Sequence, residues 1–312
     1  MREKRKRKKQ TTMQTITALA NDVMEGLMRR YQDRVPDVNA IINAMITEGI
    51  ITQAGEIEND HIAFRTLGVP HLGIRSLERI FLHLGYEKRD YYNFAEKKLD
   101  AYWYAPPKPE LPRIFISELR VPELSDAARN IISRYTSVIQ QDPVDALDLN
   151  NAAQVDEFLH SGLWETPAFA DYQVLLNESE YAAWVIFNRY YLNHFTISVH
   201  NLKEGYDTIP AFNAFLERHG FVLNNSGGKI KTSPDGNLLQ SATVARKLLA
   251  EFAGGVQQLI PGSYVEFAER KVLEAFRDTD RADITRHHRR EGFEAANANR
   301  IFESTYRAQT ER

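Results

Sequence analysis

Cysteine is absent from all 312 residues. That excludes disulfides, zinc–thiolate sites, iron–sulfur clusters and cysteine nucleophiles, so any metal must be held through nitrogen and oxygen. The chain also lacks an apolar run of the roughly 18 residues that a membrane-spanning helix needs. Excess charge of one sign is missing too. With 39 Lys and Arg against 42 Asp and Glu, the formal net charge is −3, which gives no general electrostatic case for nucleic acid. No apolar segment follows the basic start MREKRKRKKQ, so this start is not a secretory signal. It also lacks interleaved aromatics. Residues 1–12 therefore read as a solvated, disordered arm, and the protein as cytoplasmic, with neither membrane nor nucleic acid as partner. What is present is ordinary for a globular chain: 43% apolar and 26% charged residues.

Taken in order, residues 13–60 read as N-terminal helices. Met24, Leu27 and Met28 fall on one helical face, and Asp37 is placed to cap a second helix through Met45. At residue 61 the period changes. HIAFRTL reads as a strand and ERIFLHLG as a helix ending at Gly85. The tyrosine-rich YEKRDYYNF and LDAYWYA read as strands, and RIFISELR follows the prolines at 106, 107, 109 and 112 as a further strand. Residues 61–121 thus run strand, helix, strand, strand, strand. A helical connector over 122–192 carries Trp164 and Trp184 as core residues. Residues 193–271 repeat the order of the first unit: NHFTISV, then TIPAFNAFLERHG, then strand-like runs broken at Gly227–Gly228 and Asp235–Gly236, then YVEFAER. The expected fold is α+β, with paired βαβββ units curving into a barrel-like sheet around one cavity. The tail, 272–312, is expected to pack on the domain. Its adjacent His287 and His288 would face apart on regular structure and read as solvated.

Alternation along a strand sends His61, Ala63 and Arg65 to one face. An imidazole can ligate a metal, and a guanidinium can grip a carboxylate at two points. Over six residues, a core histidine and a surface arginine would look the same. The second unit adds His194 in its opening strand and Glu266 in its closing strand. Val265 and Phe267 flank Glu266 and turn to the opposite, apolar side. Two histidines and one carboxylate make the facial set suited to non-haem Fe(II), with positions left open. Three residues leave alternatives. His200 shares the parity of His194. Glu269 has opposite parity to Glu266 and reads as a surface ion pair with Arg270. Glu118 takes the place in the first unit that Glu266 takes in the second, as a fourth ligand or as a group orienting an imidazole.

These residues resemble a known arrangement. The paired units look like the vicinal oxygen chelate superfamily, whose metal ligands come from opening and closing strands. YVEFAER is similar to the glutamate-bearing last strand of hydroxyphenylpyruvate dioxygenase, and DGNLLQSATV to its glutamine-bearing strand. Together HIAFRT, NHFT, LLQSATVA, YVEFAER and GFE…IFEST, spread over about residues 15–306, resemble the 2-oxoadipate dioxygenase/decarboxylase family. The resemblance implies an Fe(II) enzyme of bacterial lysine breakdown that converts 2-oxoadipate and O2 to 2-hydroxyglutarate and CO2. It implies His61, His194 and Glu266 as the metal ligands and catalytic set, with Zn, Ni or Mn able to stand in for iron in a purified sample. It implies Arg65 on a substrate carboxylate and Gln240 in the substrate pocket. Two other functions fit the same residues: a glyoxalase-type metal isomerase or lyase using Glu118 as a fourth ligand, and a non-catalytic dicarboxylate-binding protein.

Overall fold

The structure, a computed structural model, describes the backbone of residues 2–311 and the side chains of residues 15–311. In chain order it begins with α1 (Arg2–Arg34), α2 (Pro36–Thr47), β1 (Asn59–Leu67), α3 (Ile74–His83), β2 (Glu87–Phe94), β3 (Leu99–Ala105) and β4 (Arg113–Leu119). Then come α4 (Asp126–Thr136), α5 (Ala152–His160), α6 (Phe169–Glu178), α7 (Glu180–Asn188), β5 (His194–Ser198) and α8 (Ile209–Arg218). The chain continues through β6 (Lys231–Thr232), β7 (Leu238–Ala242), β8 (Lys247–Glu251), β9 (Gln257–Pro261), β10 (Tyr264–Arg270), α9 (Ala295–Ile301) and α10 (Arg307–Thr310). Among the described residues, no helix is long and apolar enough to cross a membrane.

The chain separates into two compact units, and β1 runs through both, dividing after Ala63. The first unit holds Met1–Asp33, Phe64–Tyr91 and Lys97–Tyr191. In α1, Ala20, Val23, Met24, Leu27 and Tyr31 are buried at helical spacing, which gives the helix one apolar stripe. The backbone of the basic arm is continuous with α1, where a disordered arm was expected; its side chains lie outside those described. Strands in this unit run in the order β2-β3-β4-β1. The Gly68 N–H donates to the Leu119 carbonyl at 2.9 Å, and the Thr66 hydroxyl to the Ser117 carbonyl at 2.8 Å. Amphipathic α3 buries Ile74, Leu77, Ile80 and Phe81, and the Phe81 ring lies 5.3 Å from that of Phe64. At the N-terminus of α3, Gly73 has φ 80, and a Cβ there would fall 2.0 Å from Glu118 Oε2, so only glycine fits. Trp164 and Trp184 are buried, as core residues should be.

The second unit holds Arg34–Ala63, Tyr92–Glu96 and Leu192–Arg312, and its strands run β1-β5-β10-β7-β6. β1 and β5 are antiparallel, with Ile62 opposite Phe195 and Ala63 opposite His194. β10 pairs with β5 in parallel, Glu266 beside Thr196, and with β7 antiparallel, Glu266 opposite Ala242. One face of β10 therefore carries Tyr264, Glu266, Ala268 and Arg270. The other carries Val265, Phe267 and Glu269, and packs on α8. There the Phe212 and Phe267 rings lie 5.2 Å apart, and each fully buried Phe contributes about 1.5–3 kcal/mol.

Both units show strand, helix, strand, strand, strand, with one addition. Between β7 and β10 the second unit inserts the hairpin β8–β9, a separate two-stranded sheet. The Gly254–Gly255 pair at its turn, both with positive φ, was the unread signal. Asp37 does not cap α2; Val35 holds that position, and Asp37 is buried in an ion pair with Arg246. In the tail, His287 is exposed and His288 accepts the Thr285 N–H, while Phe293, Asn297, Ile301 and Phe302 are buried.

Candidate metal centre and active site

His61, His194 and Glu266 arrive from three neighbouring strands of the second unit, each at most 5% exposed. Their ligating atoms all lie within 4.8 Å of one another, a group able to hold a metal ion. His194 Nε2 is 3.1 Å from Glu266 Oε2, His61 Nε2 is 3.4 Å from Glu266 Oε1, and the two Nε2 atoms are 3.4 Å apart. Donor–metal bonds of about 2.1 Å at 90–110° would set donors roughly 3.0–3.4 Å apart, which the spacing matches. Two imidazole nitrogens facing each other and a carboxylate are the donor set expected around a cation. The residues fit a divalent metal.

The electrostatics say the same. Burial would lift Glu266, but the imidazoles of His61 and His194 hold its carboxyl well below the usual carboxylate range. Burial would lower His61, but Glu266 and Asp60 hold it above the ordinary histidine value. The buried Glu266 carboxylate therefore favours positive charge beside it.

Each imidazole is anchored from behind. Asp60 Oδ1 is 2.8 Å from His61 Nδ1, and Asn193 Oδ1 is 3.1 Å from His194 Nδ1. Both rings thereby turn Nε2 toward Glu266. Phe293 meets the His61 ring edge-on at 4.8 Å, and Tyr264 lies against His194 at 4.8 Å. The Thr196 hydroxyl is 3.0 Å from His61 Nε2. Alanines stand opposite the functional residues: Ala63 to His194, Ala242 to Glu266, Ala268 to Gln240.

Gln240 donates through Nε2 to Glu266 Oε1 at 2.7 Å and accepts from Asn297 Nδ2 at 2.9 Å, so its amide is oriented on the carboxylate. Arg65 belongs to the first unit. It is 1% exposed, its guanidinium carbon 5.2 Å from the ring centres of both Tyr181 and Trp184. Aromatic faces replace part of the hydration a buried guanidinium gives up.

Three alternatives close on geometry. Glu118 faces α3, and its Oε2 accepts the Ile74 N–H at 2.7 Å; it is not in the ligand group. Burial pushes its carboxyl upward. Glu269 is buried rather than superficial, and accepts the Ile209 N–H at 2.8 Å. β5 ends at Ser198, so parity no longer governs His200; it accepts the Arg270 N–H at 3.2 Å. Burial, with the Arg289 and Arg270 cations, pushes His200 down to about 3 and keeps it neutral.

The family model of 2-oxoadipate dioxygenase/decarboxylase matches residues 23–282. A curated Oryza sativa protein named 2-oxoadipate dioxygenase/decarboxylase, chloroplastic/amyloplastic, is 42% identical over 293 residues, covering 91% of this chain and 78% of the rice protein. This chain belongs to the 2-oxoadipate dioxygenase/decarboxylase family. As a member it is an oxygenase enzyme, not a non-catalytic binding protein. The crystal structure of the hydroxyglutarate synthase from Oryza sativa in complex with 2-oxoadipate superposes with a TM-score of 0.86 at 41% identity, covering 96% of this chain and 95% of that one. A putative glyoxalase superfamily protein from Ralstonia eutropha shares the fold alone, with a TM-score of 0.69 at 23% identity over 89% of this chain and 86% of that one. The rice relative's name corrects one expectation: it is a plastid protein, so composition alone does not support a cytoplasmic assignment for this family member.

Asp60, Arg270, Thr196, Phe293 and Asn297 escaped the sequence reading. Arg270 had a signal, since it shares the parity of Glu266 in YVEFAER. Asp60 had none: regular alternation sends it away from His61, but the register of β1 on β5 shifts between Asn59 and Ile62, and that bulge turns it back.

Proposed function

We propose that the enzyme converts 2-oxoadipate and O2 to 2-hydroxyglutarate and CO2, in lysine breakdown, with Fe(II) held by His61, His194 and Glu266. The observation that carries this reading is the buried group of three donors at metal-ligand spacing, made of two imidazoles and one carboxylate. The reaction balances: the bond between C1 and C2 of the acid breaks, C1 leaves as CO2, one oxygen atom completes the new carboxylate, and the other becomes the hydroxyl on the neighbouring carbon.

When bound, Fe(II) supplies open positions for the 2-oxo acid and the electrons that activate dioxygen. The protein does the rest. Two neutral imidazoles and one carboxylate would leave a bound divalent cation one net positive charge, a donor set suited to an anionic 2-oxo acid. Gln240 holds Glu266 in orientation and borders the substrate. Thr196 can donate its hydroxyl proton toward the His61 side of the centre. Phe293 and Tyr264 wall the imidazoles and exclude water. Arg65 we assign to the substrate's other carboxylate, its guanidinium packed near the rings of Tyr181 and Trp184.

The test is anaerobic loading with Fe(II), then 2-oxoadipate under labelled oxygen-18 gas, with products identified by mass. The expected result is oxygen consumption matched to loss of acid, and 2-hydroxyglutarate carrying one labelled atom in its hydroxyl and one in its new carboxylate. Turnover without oxygen would remove the reading. The glyoxalase-type alternative has lost its fourth ligand, because Glu118 is engaged at α3.

A further inference from the structure

Behind the two imidazole ligands stand unequal supports. His61 Nδ1 faces Asp60, and Asp60 is clamped by Arg270, whose Nε and Nη2 donate to its two oxygens at 2.6 and 2.9 Å. Asp60, His61 and Arg270 are each 1% exposed. The same guanidinium is fixed from the other side: its Nη1 donates to the carbonyls of Arg290 at 3.1 Å and Gly292 at 2.7 Å. The next residue, Phe293, covers both the His61 ring and the guanidinium, at 4.8 and 5.6 Å. Behind His194, by contrast, the Nδ1 partner is the neutral amide oxygen of Asn193, at 3.1 Å.

A carboxylate can only accept, so Asp60 requires the proton on His61 Nδ1 and leaves the Nε2 lone pair to face the metal position. Its negative charge also pushes electron density into the ring, which makes His61 the stronger donor. A neutral amide oxygen fixes orientation with little such push. We propose that Asp60 and Arg270 are positioning residues that set the tautomer of His61 and make the metal centre electronically asymmetric, His61 bound more tightly than His194. Through Arg270 the C-terminal segment 290–293 becomes part of this support. The inference rests on the metal-centre reading above and deepens it.

Co(II) titrated into the metal-free full chain, followed by its visible absorption and by competition with a chelator, reads the affinity directly. Asp60→Asn keeps an acceptor for His61 but removes the charge; it should weaken Co(II) binding about 10–100-fold, whereas Asn193→Ala should stay within about threefold. In the Zn(II)-loaded protein labelled with nitrogen-15 histidine, the His61 Nδ1–H proton should be the furthest downfield of the two ligand imidazoles, and should move upfield in Asp60→Asn. Thermal unfolding of each variant separates loss of fold from loss of metal. Should Asp60→Asn not fold, Arg270→Lys carries the test: it keeps the cation but cannot reproduce the two-point grip on Asp60, and should weaken Co(II) binding by more than the roughly threefold allowed to Asn193→Ala. A folded Asp60→Asn or Arg270→Lys that binds Co(II) like the parent, or an Asn193→Ala loss as large as that of Asp60→Asn, overturns the asymmetry. A parent chain that takes up no Co(II) removes the metal-centre reading and this one with it.

Discussion

The closing strands of the two units, β4 and β10, share one glutamate role and differ in another. Each sends a glutamate toward its unit's own helix. Glu118 accepts the first N–H of α3 and Glu269 the first N–H of α8, at 2.7 and 2.8 Å. A carboxylate there satisfies an orphan donor and meets the positive end of the helix dipole. With these two aligned, the station of Glu266 falls on Phe115. The first unit therefore has no carboxylate where the second has Glu266. The capping glutamate belongs to the repeat, and the glutamate that meets the two histidines belongs to one copy. Matching Glu118 to Glu266 in sequence was off by three residues, an odd number, and an odd slip on a strand exchanges the faces.

Mutations should divide along that line. The largest effect is expected from the ligand face: His61→Ala, His194→Ala and Glu266→Ala should abolish both metal retention and turnover, read by metal analysis and oxygen uptake. An Ala variant that keeps full metal content would break the assignment. Next, Arg65→Ala should retain metal but lower kcat/KM about 10–100-fold, the value of a charge-assisted hydrogen bond of roughly 1.5–3 kcal/mol. Normal kinetics would remove Arg65 from substrate binding. Smaller again, Glu118→Gln and Glu269→Gln should each lower unfolding stability by about 1–2 kcal/mol while leaving metal content unchanged. Loss of metal in Glu118→Gln would reverse the comparison between the strands. Smallest, His200→Ala should leave metal content as it is, since its Nδ1 accepts the backbone N–H of Arg270.

Much of the fold was legible because it rests on local periodicity. Alternation in HIAFRT, NHFTISV and YVEFAER and helical spacing in ERIFLHLG and TIPAFNAFLERHG are properties of each segment alone. The β8–β9 hairpin was missed because its runs are short and two of its three leucines, Leu249 and Leu259, stay exposed instead of marking a buried face. Within the site, parity named His61 and Glu266 as inward-facing, since each sits on a strand beside apolar neighbours that need the other side. Parity failed where regular structure ends. The bulge in β1 turned Asp60 inward, and the end of β5 at Ser198 released His200.

The sequence by itself thus determined the element order, the chemistry available without cysteine, and which side chains share a face of a strand. These depend on residue type and on a period of two. Only the tertiary structure decided which glutamate joins the two histidines and which caps a helix, because that turns on the strands' register against their neighbours. It alone joined Asp60 to Arg270 across 210 positions of sequence. No local period carries that pairing; packing and the exclusion of water from a buried ion pair do.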